Sequence, residues 1–141
     1  MKQVGLLLCC LFLFANCNST KNTNSENNIN KNQSEPKGTY DVITLYGENV
    51  SEHKLTIIID PENKTMSGFS GCNTYTCDYT VKEKVYSAGF PMATKRYCEK
   101  SGNVEKQFFK ALSELQTCNT DNKSLVFNDA NKKEIITAKE Q

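Results

Sequence analysis

The chain has 141 residues, among them seven cysteines and no tryptophan. Its 17 basic and 16 acidic residues leave a net charge of +1, so no strong electric field would attract nucleic acid or acidic polymers. Once the amino-terminal segments described next are set aside, this length allows one domain with one hydrophobic core.

The amino terminus has the composition of a secretory signal. An apolar run from Val4 to Phe14 follows a short charged start. The run has about 11 residues, whereas a helix that crosses a bilayer needs about 20. We therefore expect a signal peptide over residues 1–16 rather than a transmembrane helix, and an exported protein.

The end of this run resembles a bacterial lipobox, where a signal peptidase cuts before a cysteine that then carries lipid. The residues are Phe14-Ala15-Asn16-Cys17. Two positions depart from the usual pattern, because Asn16 stands where a small residue is preferred and Phe14 stands where leucine is. On this resemblance we expect Cys17 to be lipidated. Its acyl chains, at about 0.8 kcal/mol per buried CH₂, would then hold the protein at a membrane. The alternative is an ordinary secreted protein with Cys17 as a spare thiol.

Residues 17–38 are predicted to be the lipidated cysteine and a disordered tether. They consist largely of Asn, Ser, Thr, Lys and Glu, so they cannot bury enough apolar surface to offset the entropy of ordering. A flexible segment of about 21 residues spans about 25 Å, which would hold a small domain clear of the membrane surface.

The remaining residues, 39–141, are predicted to form one β-rich domain. Residues 39–46 favour a strand, and Leu55, Ile57 and Ile59 alternate with Thr56, Ile58 and Asp60 along the clearest strand of the chain. Residues 60–64 then have the composition of a type I turn, with proline at its second position.

The second half of the domain contains more strands and one change of period. Tyr75, Cys77 and Tyr79 form one face of a strand, residues 82–84 form a charged turn, and the next strand, over 85–90, ends at Pro91. Between residues 103 and 116, apolar residues recur at helical spacing, with cap chemistry supplied by residues 101–103. Short strands follow over 117–120, 124–127 and 134–138. The expected fold class is mainly β (α+β), an antiparallel barrel-like sheet with one amphipathic helix that covers one end.

Two short motifs resemble the signature of the META domain, the fold of the heat-inducible HslJ-type envelope proteins. They are Gly71-Cys72-Asn73-Thr74-Tyr75 and Thr94-Lys95-Arg96-Tyr97-Cys98. The order of elements fits that family from about Gly38 to the end of the chain. The resemblance implies a non-catalytic domain associated with stress resistance and secretion.

Four cysteines fall in the predicted domain: Cys72, Cys77, Cys98 and Cys118. Structural zinc sites usually use two close pairs of ligands, and only Cys72 and Cys77 are close, so no metal and no cofactor is expected. In an exported protein an even number of cysteines favours disulfides, whose three connectivities the spacing leaves open. The resemblance implies Cys72 with Cys98, because both lie in the two motifs, and this leaves Cys77 with Cys118.

The resemblance also marks a candidate binding surface made of Asn73, Tyr75, Thr94, Lys95 and Arg96. The alternative is a solvated basic loop without a partner.

Catalytic residues are not expected. His53 is the single histidine and lies in a polar loop, and no nucleophile, phosphate-loop or zinc-protease motif occurs in the sequence. A small hydrolase is disfavoured for the same reason, since neither a base nor a nucleophile is recognisable.

Two functions from different classes follow. The first is a lipoprotein of the cell envelope, anchored at a membrane, on the outer-membrane, periplasmic or surface side, whose domain binds an envelope protein or component in stress resistance or secretion. The second is a cysteine-based module that binds metal or senses redox state. Neither involves nucleic acid.

Overall fold

Alternation of apolar and polar residues along the chain produces a sheet against which one helix packs. The computed structural model describes residues 35–141. The strands are β1 (Gly38–Leu45), β2 (Glu48–Asn49), β3 (Thr56–Asp60), β4 (Thr65–Phe69), β5 (Thr74–Lys82), β6 (Val85–Ala88), β7 (Met92–Ala93), β8 (Thr117–Asp121), β9 (Ser124–Asn128) and β10 (Glu134–Glu140). The helix α1 spans Gly102–Ser113, and a 3-10 turn spans Ser51–His53. Within the described residues, no helix has the length and apolar character needed to cross a membrane.

The strands form one antiparallel sheet in the order β6-β5-β4-β3-β1-β10-β9-β8, with β2 paired to β1 and β7 paired to β5. The two ends of this order approach each other, because the Tyr86 N–H on β6 donates to the Gln116 carbonyl just before β8 over 2.8 Å. The sheet therefore curves into a nearly closed barrel. This architecture confirms the predicted fold class.

The core lies on the inner face of the curved sheet. On β3, Ile57 and Ile59 are buried, whereas Ile58 between them is 41% exposed. On β5, Tyr75 and Tyr79 are buried in the same way. Because successive side chains of a strand point to opposite faces, a period of two fills the interior from one face of each strand. The inward-facing sets predicted for these two strands are confirmed.

The helix contributes the other side of the core. Phe108, Ala111 and Leu112 are buried on one face of α1. The Phe108 ring packs edge-on against the Tyr75 ring, with 5.3 Å between the centroids. The apolar stripe of the predicted helix is thus core packing.

The start of the helix differs from the prediction. Ser101 occupies the N-cap position, but its side chain makes no capping hydrogen bond, because its backbone is already in the helical region (φ −112°, ψ −7°). Instead, the Gly102 N–H donates to the Cys98 carbonyl over 3.0 Å. The chain therefore turns from Cys98 directly into α1.

The first described residues are part of the domain rather than of the predicted tether. Pro36 is buried, the Lys64 ammonium lies 2.6 Å from the Glu35 carboxylate, and the Tyr79 hydroxyl donates to Glu35 over 3.0 Å. Residues 35–38 of the predicted tether therefore belong to the domain. The predicted signal peptide and Cys17 lie outside the described residues.

The strand predicted over residues 85–90 is shorter than expected. β6 ends at Ala88, although the Gly89 N–H still donates to the Asp78 carbonyl over 2.7 Å in the register of the β5–β6 pairing. Pro91 follows and offers no N–H to a sheet. The short strand β7 then resumes pairing with β5, opposite Tyr75 and Thr76. Residues 89–91 therefore separate β6 from β7 along this side of β5.

Gly68 on β4 is required by a close backbone approach. A Cβ atom there would lie 2.2 Å from the Thr56 carbonyl oxygen, at a φ of +150°.

We expect Gly68→Ala to lower the free energy of unfolding by about 2–5 kcal/mol, because backbone strain and overpacking combine. Gly47→Ala is the matched control, since Gly47 also has a positive φ (+85°) but no atom lies within 4 Å of its Cβ position. That change should cost about 1 kcal/mol. Equal losses for the two variants in urea unfolding would contradict the role given to the Thr56 contact.

Candidate functional site

The chain makes a tight bend between β4 and β5, and this bend forms the base of the candidate site. Gly71 has a φ of +90°, and the Ser70 N–H donates to the Asn73 carbonyl over 2.8 Å. Ser70 and Asn73 are both buried. A buried polar side chain must find hydrogen-bond partners, so the conformation of this bend depends on the groups that bind Ser70 and Asn73.

The Asn73 side chain connects three segments of the chain. Its Oδ1 atom accepts a hydrogen bond from the Thr94 hydroxyl over 2.8 Å and one from the Arg96 N–H over 2.7 Å. Its Nδ2 group donates to the Glu105 carboxylate over 3.0 and 3.1 Å and to the Arg96 carbonyl over 3.3 Å. Both the acceptor and the donor capacity of the amide are used. The contacts fix the bend, the loop before Cys98 and α1 relative to one another.

Glu105 completes this arrangement from the first turn of α1. Its Oε2 atom accepts from the Asn73 N–H over 3.1 Å and from the Ser70 hydroxyl over 2.5 Å. A carboxylate is also favoured at this end of a helix, because the helix dipole is positive there. We call Ser70, Asn73, Thr94, Glu105 and the backbone of Arg96 the asparagine clamp.

The role of Glu105 is not visible in the sequence. Glu105 lies outside the apolar stripe that predicts the helix, where most glutamates are solvated. The only available signal was an acidic residue in the first helical turn, which is a common stabilising feature and does not identify a partner. The hydrogen bonds to Asn73 span 32 positions of sequence, a separation that local patterns do not encode.

A disulfide reinforces the clamp. Cys72 and Cys98 are bonded, with 5.8 Å between their Cα atoms and a sequence separation of 26. The bridge joins the bend directly to the residues that lead into α1. The pairing implied by the two motifs is confirmed.

The second predicted bridge is corrected by the structure, because Cys77 and Cys118 are free thiols. Cys77 lies on β5 and Cys118 on β8, and β6 stands between these strands. Strands two places apart in a sheet are separated by about 9–10 Å, whereas a disulfide needs Cα atoms within about 7 Å. Burial raises the pKa of Cys77 to about 11 and that of Cys118 to about 12. Both thiols therefore stay protonated at neutral pH.

The five residues of the predicted binding surface divide into two groups. Asn73 and Tyr75 are buried, and Thr94 is exposed but its hydroxyl is bound to Asn73. Only Lys95 and Arg96 present charged side chains to solvent. The motif residues thus mainly build the support of a loop, and the loop carries the accessible side chains.

The same loop carries three large apolar side chains that are highly exposed and were not among the predicted site residues. Phe90 is 96% exposed, Tyr97 91% and Met92 72%. A surface depression of about 430 Å³ lies beside them, lined by residues 74–76 and 92–94. We call residues 90–97 the apolar loop. A run of exposed large apolar side chains is typical of an interaction surface.

The remaining candidate, His53, lies at the end of the 3-10 turn. Its Nε2 atom is 3.4 Å from the Glu52 carboxylate, and its side chain is partly buried. In the described part of the chain, no group of three or more His, Cys, Asp and Glu side chains has the arrangement of a metal site.

Comparisons with known proteins agree with this architecture. A family model described as the META domain matches residues 33–141. An NMR structure of a protein from Burkholderia xenovorans is similar, with a TM-score of 0.60 and 18% identity over 74% of this chain and 82% of that one. A crystal structure of a DUF4847 family protein from Bacteroides vulgatus has a TM-score of 0.56 and 14% identity, over 74% of this chain and 93% of that one. At these identities the likeness shows the fold alone. A search of curated proteins finds no match.

The first prediction from this site concerns the Asn73 amide. Asn73→Asp keeps the shape of the side chain but places an oxygen against the Glu105 carboxylate, where Nδ2 now donates. We expect a loss of about 3 kcal/mol of unfolding free energy at pH 7, because a buried like-charge contact replaces a hydrogen bond. The Glu105 charge raises the pKa of the introduced carboxyl group above the ordinary value of about 4 in the folded state. Part of the stability therefore returns as the pH falls from 7 towards 4.

Asn73→Ala is the control, because it removes the same hydrogen bonds without adding a charge. Its loss, measured by urea unfolding, should be similar at pH 7 and pH 4.5. If the two variants show the same dependence on pH, the Asn73–Glu105 contact is not as described.

A second prediction counts the thiols. A chain covering residues 18–141, exported to an oxidising compartment and alkylated after unfolding, should carry two adducts before reduction and four after it, since Cys77 and Cys118 are free and Cys72–Cys98 is bonded. Alkylation of the folded chain at pH 8 should be slow, because the reactive thiolate is scarce when the pKa is about 11 or 12. Intact mass gives the count directly. No adduct before reduction would mean that Cys77 and Cys118 are bridged after all.

Proposed function

Because the chain belongs to the META domain family, we propose that it is a bacterial cell-envelope lipoprotein whose META domain acts as a non-catalytic binding module in stress resistance or secretion. This proposal rests on a difference between the buried and the exposed groups of the two motif segments. The Asn73 side chain, the Thr94 hydroxyl and the Arg96 backbone are bound within the asparagine clamp, whereas the loop that the clamp supports directs large side chains into solvent.

The clamp is a poor basis for catalysis. Ser70 is fully buried, and its hydroxyl is bound to Glu105 and Asn73. A nucleophile needs access to a substrate and a base that takes its proton, with a third group that orients the base. Asn73 fills its donors and acceptors within the protein. These contacts favour a structural role for the motif and a binding role for the loop.

The envelope location rests on the amino-terminal sequence. An apolar run of about 11 residues ends at Phe14, three positions before Cys17, and a polar segment separates Cys17 from the domain. A lipidated Cys17 would hold the domain at a membrane surface, where its partner would be an envelope protein or another envelope component.

A cysteine-based module that senses redox state or metal is the second candidate, because Cys77 and Cys118 are free thiols. Burial opposes this role. It raises the pKa of both groups, and the reactive form of cysteine is the thiolate. A redox function would therefore have to act through the Cys72–Cys98 bond, whose reduction would remove the covalent link between the bend and the residues that lead into α1.

The lipoprotein proposal predicts that cells supplied with labelled palmitate incorporate the label into the full chain, and that Cys17→Ala abolishes both the label and fractionation with membranes. Cys10→Ala is the matched control, since Cys10 lies within the predicted signal peptide and leaves with it. Asn16→Gly should speed processing, because it restores a small residue before the cleavage site. Unchanged labelling and fractionation of Cys17→Ala would show that Cys17 is not the anchor.

A further inference from the structure

The apolar loop exposes three large side chains within eight positions. Phe90 and Tyr97 are more than nine-tenths exposed, and Met92 is 72% exposed. The other large hydrophobic residues that the described chain exposes, Ile58 and Val85, are each only 41% exposed. Apolar surface is thus concentrated at one place on the domain.

This exposure occurs on a backbone that is held in place. Met92 pairs with Thr76 on β5, and the Thr94 N–H donates to the Thr74 carbonyl over 3.1 Å. The Arg96 N–H and carbonyl both bind Asn73, and the disulfide to Cys72 follows two residues later. A loop that was free to collapse could cover its own apolar side chains. These contacts prevent that collapse and keep the side chains turned outward.

The charged side chains of the apolar loop itself are both positive. Lys95 and Arg96 are exposed between Met92 and Tyr97. No acidic residue occurs from Lys84 to Cys98. The acidic residues near the segment are Glu83 and Glu99 at its two ends, Asp78 on β5 next to Gly89, and Glu105, which binds the Asn73 amide behind Arg96.

Aromatic and aliphatic side chains mixed with basic ones are suited to the boundary between headgroups and acyl chains. Phe90 and Tyr97 are so exposed that they project from the protein surface. A fluid lipid layer can surround such projecting side chains and bury them on all sides. We propose that the apolar loop is a membrane-contact surface, in which Phe90, Met92 and Tyr97 insert into the interface of an anionic bilayer while Lys95 and Arg96 bind its headgroups.

This proposal depends on the proposed lipid anchor in one respect: the anchor would give the domain a high local concentration at the bilayer. Between Cys17 and Glu35 lie enough residues for a flexible segment to span about 20–25 Å on average and at most about 60 Å when extended. A domain of about 100 residues has a radius of gyration of about 13 Å. The segment is therefore long enough for the apolar loop to reach the bilayer from any orientation of the domain.

The test uses the absence of tryptophan from the chain, which makes Phe90→Trp a single fluorescent reporter. The full chain is reconstituted with vesicles of phosphatidylcholine alone or of phosphatidylcholine and phosphatidylglycerol at about 3:1, with brominated lipid as quencher. With anionic vesicles we expect the emission to shift to shorter wavelength and to be quenched. Adding Lys95→Gln and Arg96→Gln should lower the insertion equilibrium about 25-fold, since each basic residue contributes about fivefold near an anionic surface.

Val85→Trp is the matched control. Val85 is also exposed, but it pairs with Lys82, about 13 Å along β5 from Asp78, whose carbonyl accepts from the Gly89 N–H beside Phe90. Its emission should stay that of a solvated tryptophan in both vesicle types. Emission from Phe90→Trp that is unquenched, that is quenched no more than emission from Val85→Trp, or that is already shifted without vesicles would overturn the proposal.

Flotation of the same samples separates this proposal from that of the anchor. A lipidated chain floats with neutral and anionic vesicles alike. Flotation with both and no quenching of Phe90→Trp would support the anchor and contradict the membrane-contact surface. Flotation with anionic vesicles alone, with Phe90→Trp quenched, would support the membrane-contact surface and contradict the anchor.

Discussion

A buried amide side chain must find a partner for each donor and acceptor it carries, and Asn73 finds them on two segments that are distant from it in sequence. The bend between β4 and β5, the loop that precedes Cys98 and the first turn of α1 are all held by this one group. The Cys72–Cys98 bond adds a covalent link between two of the same segments. Because a hydrogen bond in a poorly solvated site is costly to lose, the three segments have one stable arrangement, and the shape of the apolar loop follows from it.

The sequence determines much of the fold through short-range patterns. Alternation along β3 and β5 identifies their inward faces, because a strand has a fixed period of two, and the motif cysteines identify the disulfide through the META resemblance. The partner of Asn73 could not be found in this way, since Glu105 looks like any solvated helical glutamate. The second disulfide was inferred by elimination from an even number of cysteines, but pairing depends on which strands are neighbours. The early end of β6 was also missed, because the pairing with β5 changes register between Ala88 and Met92, which alternation along the strand does not encode.

The candidate site combines a rigid interior with an accessible exterior. Motif residues that look like a binding surface in the sequence are largely the support of that surface. The large apolar side chains available to a partner are Phe90, Met92 and Tyr97, and only Tyr97 lies in a motif. The META resemblance is confirmed by the match over residues 33–141, and it locates the support better than the contact residues. A lipid anchor, a flexible segment and a membrane-contact surface would act together, because an anchor that keeps the domain near a bilayer makes even weak insertion of a loop effective.

Amide hydrogen exchange at Arg96 tests the central role of Asn73 most directly, because the Arg96 N–H donates to the Asn73 side chain over 2.7 Å and to no strand. The clamp predicts slow exchange at Arg96 in the parent chain and fast exchange in Asn73→Ala, while core amides such as that of Val42, bound to the Leu55 carbonyl, stay protected in both. Fast exchange at Arg96 in the parent chain, with the core amides protected, would contradict the account, since the apolar loop would then be held by something other than Asn73.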